Sequence, residues 1–226
     1  MLNRLYTLIT RRKSPVKFSD LSTNKPISTV FGLDRGTAID RYYIKIFYND
    51  NKDLIRGNVL EVGDDEYSSK YNNKVVHNDI LHAVDDRRSD IIVGDLTNTA
   101  TLPKEKYDCF IATQTLNFIF DVNKAVGGCN YLLKPGGTFM GTVSGISQIS
   151  RYDMERWGDY WRFTDLSIKR ALENHFQGNI QIQTFGNVLS SIAYLQGIAV
   201  EDLPDSSLLD EPENDYQMTI CFIATK

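Results

Sequence analysis

The chain has 226 residues, 42% hydrophobic and 24% charged, with 25 Lys and Arg against 29 Asp and Glu for a net charge of −4. That length suits one domain with a sizeable core, burying roughly 70% of the surface its unfolded form exposes. No apolar run of about 18 residues is present, which excludes a membrane span, and the mildly acidic total argues against a general nucleic-acid binder.

The charge is unevenly placed. Residues 1–26 carry Arg4, Arg11, Arg12, Lys13, Lys17 and Lys25 against Asp20, whereas residues 201–215 carry seven acidic residues and no basic one. In MLNRLYTLITRRK, Leu2, Leu5, Leu8 and Ile9 share one helical face ahead of Arg11, Arg12 and Lys13. Two readings fit: a helix packed on the domain, or a weak peripheral membrane contact through residues 1–13. The apolar stretch is too short and polar for a signal peptide. Residues 1–34 therefore read as a basic N-terminal segment, 35–226 as a single domain, and EDLPDSSLLDEPEND as a solvated loop within it. Cys109, Cys129 and Cys221 lie far apart in apolar stretches without a Cys-x-x-Cys pair. They read as buried small hydrophobes of a reduced, cytoplasmic protein, with neither a disulfide framework nor a metal site.

In chain order, Ile39, Tyr42, Tyr43, Ile46 and Phe47 recur at helical spacing, so a helix is expected over 37–49 with Thr37 as its cap. Strands follow at GNVLEVG (57–63), KVVHNDI (74–80), DIIVGDL (90–96), YDCFIATQT (107–115) and GGTFMGTVSG (136–145). Their cores are apolar without clean alternation, as in strands buried on both faces of a parallel sheet. Between the last two, FDVNKAVGGCNYLLK reads as a helix stopped by Pro135, Gly136 and Gly137. Gly127 and Gly128 inside it each cost about 1 kcal/mol against Ala, so their presence points to close packing on the sheet. TDLSIKRALENHF (164–176) is a helix opening on Thr164, NIQIQTFGN (179–187) a strand, NVLSSIAYLQGIAV (187–200) a helix and YQMTICFIATK (216–226) the closing strand. The alternation predicts a doubly wound, Rossmann-like α/β sheet, mostly parallel with an antiparallel C-terminal strand.

Ligands of such sheets bind beyond the carboxyl ends of the strands where strand order reverses. The first strand exits through Glu61-Val62-Gly63-Asp64-Asp65-Glu66-Tyr67, which holds one glycine and no G-x-G-x-x-G. The acidic run would repel a pyrophosphate, so NAD or a nucleoside triphosphate fits poorly and a cationic or zwitterionic nucleoside fits better. Asp79 is read as ending the second strand 18 positions after Glu61, near the roughly 20 expected of a carboxylate that accepts both ribose hydroxyls. Asp95, ending the third strand, would receive an adenine amino group, with Leu96 against the ring face; Gln114 and Thr115 end the fourth over the cleft. Each acid alone could equally be a strand-end or capping residue, but three at successive strand ends favour a ligand. Asp108, at the start of its strand, reads as structural.

EVG at the first strand, Asp79 and Asp95 at the next two, YDCFIATQTLNFIFD at the fourth and LLKPGG before the fifth resemble the class I S-adenosylmethionine-dependent methyltransferases, over residues 57–145 and on through 176. RGTAIDRYYI (35–44) and GDYWRFT (158–164) are similar to segments of methyltransferase-like proteins encoded with glycosyltransferases in bacterial polysaccharide loci. The resemblance implies S-adenosyl-L-methionine as cofactor, held by Glu61, Gly63, Asp65, Asp79, Asp95, Leu96 and Gln114. It implies O-methylation of a sugar or glycan intermediate of surface polysaccharide, with a glycosyltransferase as partner. The family usually shows E/D-x-G-x-G-x-G, whereas Asp65 and Tyr67 stand here at the second and third glycines. That departure is compatible with an altered cofactor loop or with a non-catalytic binding or regulatory module.

A sugar hydroxyl is a weak nucleophile, so a base would help. Asp159 ranks first and His82 second, although Asp159 could instead pair with Arg156 or Arg162, and His82 could cap a turn. Residues 151–163 gather both tryptophans with two tyrosines and three arginines. Arg156, Trp157, Tyr160, Trp161 and Arg162 could stack on sugar rings and grip phosphate, or form an aromatic brace behind the fifth strand. Arg35, Asp40, Tyr42 and Tyr43 would fold over the cofactor mouth as a lid that meets substrate and excludes water.

Overall fold

The computed structural model describes residues 24–71, 74–85 and 91–226. The amphipathic stretch 1–13, and with it both readings of that stretch, lies outside them. Seven strands form one sheet: β1 (Gly57–Val62), β2 (Val75–His82), β3 (Ile91–Val93), β4 (Tyr107–Thr113), β5 (Leu133–Ser144), β6 (Ile180–Phe185) and β7 (Thr219–Thr225). Their order is β3-β2-β1-β4-β5-β7-β6, and β7 runs antiparallel to both β5 and β6. The closing strand is thus antiparallel as expected, but it is inserted inside the sheet and leaves β6 at the edge. The helices are α1 (Ile39–Asp50), α2 (Glu66–Lys70), α3 (Val122–Leu132), α4 (Arg151–Met154), α5 (Asp165–Glu173) and α6 (Val188–Gln196). Among the described residues no helix is long and apolar enough to cross a membrane.

Successive strand residues serve opposite faces, so the central strands are apolar throughout. Leu60, Phe110, Phe139 and Phe222 pack with Val126, Leu132, Ile168 and Leu172 of α3 and α5. Their neighbours Val59, Cys109, Met140 and Cys221 pack with Ile44, Phe47 and Tyr48 of α1 on the other side. All three cysteines are buried and unpaired, and burial raises the thiol pKa of each, that of Cys109 to about 12.

Local chemistry sets most helix ends. The Thr164 side chain accepts from Ser167 N at the start of α5, the Asn187 side chain from Ser190 N at the start of α6, and α6 ends on Gly197 in the left-handed region. Gly127 and Gly128 mark close packing, though against loops rather than the sheet: a Cβ on Gly128 would overlap the Leu96 carbonyl beyond β3, and one on Gly127 would meet the His175 ring beyond α5. The start of α1 differs from expectation. Ala38 occupies the cap position without a side-chain bond, while Thr37 donates its N–H and hydroxyl to Glu201, at 2.7 and 2.8 Å.

That contact belongs to a larger correction. Residues 201–215 are largely exposed, as expected of a solvated loop, but they are also tied to α1 and the chain before it: Arg35 forks onto Asp202 at 2.7 and 3.0 Å, Tyr42 donates to Asp210 at 2.7 Å, and Tyr43 to the Leu209 carbonyl at 2.8 Å. Arg35, Tyr42 and Tyr43 therefore anchor the acidic segment and do not present their polar groups to a substrate. The −4 balance hides this, because basic and acidic partners 167 positions apart cancel in place.

Candidate functional site

The order β2-β1-β4 places the reversal of strand order between β1 and β4, so their carboxyl ends are where a ligand is expected. A cavity of about 220 Å³ opens beside the end of β4, with no residue of β1 or of its exit turn in the lining. Its walls are Thr113 and Gln114 at the end of β4, Asn117 just beyond, Ser144 at the end of β5, Asp40 and Arg41 from α1, and Tyr194 from α6. Asp159 and Arg162 close the side formed by GDYWRFT.

Gln114 is the residue of the predicted set that the cavity receives with unspent polarity. It sits at φ +50°, a left-handed conformation that a non-glycine residue adopts at some cost in energy and that is often a mark of function. Its N–H bonds the Thr142 carbonyl at 2.9 Å and its Oε1 accepts from Ser144 at 2.7 Å. Its Nε2 is buried with no partner. A buried donor left unpaired loses its hydration without return, so a ligand acceptor fits it.

Asn117 was not foreseen. Its side-chain nitrogen donates to the Trp161 carbonyl at 2.7 Å, its Oδ1 accepts from Ser144 N, and its own carbonyl accepts from Tyr160 and Trp161 N. One buried asparagine thus fastens the exits of β4 and β5 to GDYWRFT. A lone Asn inside QTLNF carries no spacing signal that would single it out.

Asp159 and Arg162 line the cavity, but as a saturated pair. The guanidinium spends its N–H groups on both Asp159 oxygens, at 2.6 and 3.0 Å, and on the carbonyls of Ser147, Gln148 and Trp161. Asp159, 1% exposed, also accepts from Ser150 N at 2.9 Å. The two form a clamp, which corrects the expectations of Asp159 as base and Arg162 as phosphate grip. His82 is corrected as well. It ends β2 with Nε2 2.6 Å from the Gly63 carbonyl, outside the cavity wall.

At the β1 exit, Gly63 has φ +88° and open space where a Cβ would stand. Glu61 is buried and turned into the fold, accepting from Tyr67 N, Ser68 N and Ser68 Oγ at 3.2, 2.8 and 2.7 Å. It fastens α2 under the turn. Asp65 occupies the N-cap position of α2 without a side-chain bond. Burial pushes the Glu61 carboxyl up to about 7, against the pull of its hydrogen bonds. Because the folded pKa lies above the unfolded one, this group contributes stability that is full below about pH 4.3 and lost as pH rises through 7, roughly 3 kcal/mol in all. Urea denaturation at pH 5 and pH 8 should show Glu61→Gln with a smaller loss of stability over that interval than the unsubstituted chain. The lowered Asp79 and Asp108 titrate below this window and do not mask it.

Three further expectations are corrected. β2 runs on to His82, so Asp79 lies inside the strand, and its carboxylate is held at 2.7–2.9 Å by Lys106, Tyr107 and His77 beside the start of β4. Burial alone would raise that carboxyl, yet these partners hold it below the usual range. Leu96 is buried in the main core and offers no ring platform. Asp95 folds back on its own loop, accepting from the N–H and hydroxyl of Thr97, both at 2.8 Å. Asp108 accepts from Lys134 and from Asn58 N.

The aromatic segment divides. Trp161 donates through Nε1 to the Ile119 and Phe120 carbonyls, and its ring stacks on Phe120. Tyr160 stands edge-on to the same Phe120. Tyr160, Trp161 and Trp157 keep 50%, 39% and 39% of their surface exposed. Arg156 lies 3.5 Å above the Tyr152 ring.

Sheet order, inserted antiparallel β7 and a cavity at the β4 exit define the Rossmann-like fold of the S-adenosylmethionine-dependent methyltransferases. Residues 54–141 match the family described as methyltransferase domain. A methyltransferase of this kind from Archaeoglobus fulgidus is 12% identical, with 82% of this chain and 94% of that one aligned at a TM-score of 0.55. One from Mesorhizobium loti is 15% identical over 84% and 98%, at 0.54. The Haemonchus contortus phosphoethanolamine N-methyltransferase 2, solved with S-adenosyl-L-methionine, is 13% identical over 79% of this chain and 52% of its own, at 0.51. Identities this low show a shared fold. No curated protein matches the chain.

Proposed function

We propose that the chain is an S-adenosylmethionine-dependent methyltransferase that O-methylates a sugar or glycan intermediate of surface-polysaccharide assembly, in the cytoplasm and beside a glycosyltransferase partner. The observation that carries the methyltransferase reading is the unpartnered Gln114 Nε2 in a cavity at the strand-order switch of this fold. S-adenosylmethionine supplies the electrophilic methyl group when bound. The chain's own part is positioning: Gln114 offers a donor, Gly63 leaves the turn open, and Asn117 fixes the cavity to the aromatic shelf. Orientation of this kind is worth about 7–11 kcal/mol in well-aligned reactions.

Glycan as the acceptor class rests on the shelf of Phe120, Tyr160 and Trp161, whose exposed faces suit the apolar side of a sugar ring. Calorimetry with S-adenosylhomocysteine is expected to show binding; none at millimolar ligand overturns the reading. Transfer of labelled methyl from the cofactor to a cell-envelope extract tests the acceptor.

One observation favours a second reading, a non-catalytic module. Tyr67 is buried at the turn where the family carries glycine, its ring packed on Tyr48 of α1. That reading expects no turnover with any extract.

A further inference from the structure

Arg41 lines the same cavity. It sits in the first turn of α1, next to Asp40, whose Oδ1 accepts from the Arg41 N–H at 2.8 Å. Among the described residues the nearest carboxylate to its guanidinium is that same Asp40, 3.9 Å away and beyond hydrogen-bond distance. The buried Tyr67 hydroxyl interacts with its guanidinium, and Glu66 is a further negative neighbour. Burial works against its charge, but Asp40, Tyr67 and Glu66 together raise its pKa above the usual value. The side chain, 37% exposed, thus keeps its charge at the rim of the cavity, with Asp40 as a loose counter-charge.

Arg41 and the orphan Gln114 Nε2 are both donors, and both line one cavity. Arginine has five N–H groups and no acceptor, so what satisfies such a pair is an anion with two oxygens. Asp40, in the same wall, offers the opposite sign. A carboxylate with an ammonium next to it, the end of an α-amino acid, matches this arrangement.

We propose that Arg41 holds the carboxylate of the cofactor's amino-acid end, with Gln114 as second donor, in place of a backbone cradle that the β1 exit, with one glycine, does not build. The inference rests on the cofactor reading above and adds a residue to it. Tyr67 then has a role consistent with binding: it fills the turn and stands beside Arg41.

The test compares two ligands on the full chain. S-adenosylhomocysteine carries the amino-acid end; 5′-methylthioadenosine lacks it. The unsubstituted chain is expected to bind the first more tightly. Arg41→Met should weaken S-adenosylhomocysteine by about tenfold or more, the size of a charge-assisted pair, and leave methylthioadenosine unchanged. Arg41→Lys should recover part of the loss. Unchanged methylthioadenosine binding also reports that the variant is folded, and Arg41→Gln serves if Met is not tolerated. Equal loss for both ligands, or no loss for either, overturns the assignment while the cofactor reading stands. Failure of the unsubstituted chain to bind S-adenosylhomocysteine overturns both.

Discussion

Asp159→Ala is expected to lower stability by about 3 kcal/mol, a fall of roughly 10 °C in the thermal midpoint of a chain this size. The carboxylate is 1% exposed and answers two nitrogens of Arg162 and the N–H of Ser150. Removing it leaves a guanidinium half inside the protein with its main counter-charge gone. The same substitution separates clamp from base. A clamp loses stability first, and Asp159→Asn, which keeps an acceptor for Ser150 N, should recover about half of the midpoint with the pH profile of any activity unaltered in shape. A general base would instead lose about 10²–10⁴-fold in rate with the basic limb of the profile removed. Calorimetric melting of both variants, paired with a rate profile, decides between them.

Gly128→Ala is expected to cost about 3 kcal/mol, at the upper end for overpacking. Alanine is the better helix former by about 1 kcal/mol, but its Cβ would meet the Leu96 carbonyl, which is backbone and cannot rotate away. Gly127→Ala is the control. Its Cβ would face the rim of the His175 ring at 3.0–3.2 Å, a side chain able to turn aside, so that variant should be near neutral. Urea midpoints of the two alanine variants should differ by most of the predicted amount. Because Leu96 adjoins Asp95, Gly128→Ala should also disturb the loop after β3.

These variants also show where sequence reasoning reaches and where it stops. The Gly127-Gly128 pair was legible as close packing, because glycine in mid-helix is unfavourable unless something presses on it. Thr164 and Asn187 were legible as the starts of helices, because a cap bonds a backbone N–H three residues away and the whole motif lies in one stretch of chain. Asp79 was misplaced by the same kind of reasoning. His77, Asn78 and Asp79 look like the end of a strand, yet β2 carries its polar residues in its more exposed first half and its buried Ile80 and Leu81 after them.

The residues misassigned to substrate share a cause. Arg35 and Asp202, Tyr42 and Asp210, Tyr43 and the Leu209 carbonyl are 166–168 positions apart. No periodicity connects them, and a charged side chain without a visible partner reads as available. Arg162 failed differently: Asp159 was close enough to be named as its partner, but the three backbone carbonyls that use up its remaining donors belong to chain folded back from elsewhere or to the turn itself.

What the sequence by itself determined was the alternation of apolar strands and helices, the antiparallel last strand, the single glycine at the β1 exit and the likeness to a methyltransferase. All are properties of short segments, set by hydrophobic period and backbone preference. What only the tertiary structure decided was which polar groups are spent and which remain. Hydrogen bonding is settled over the whole fold, so Asp159, Arg162 and Arg35 are engaged while Gln114 keeps an unpaired donor in the cavity that Arg41 also lines.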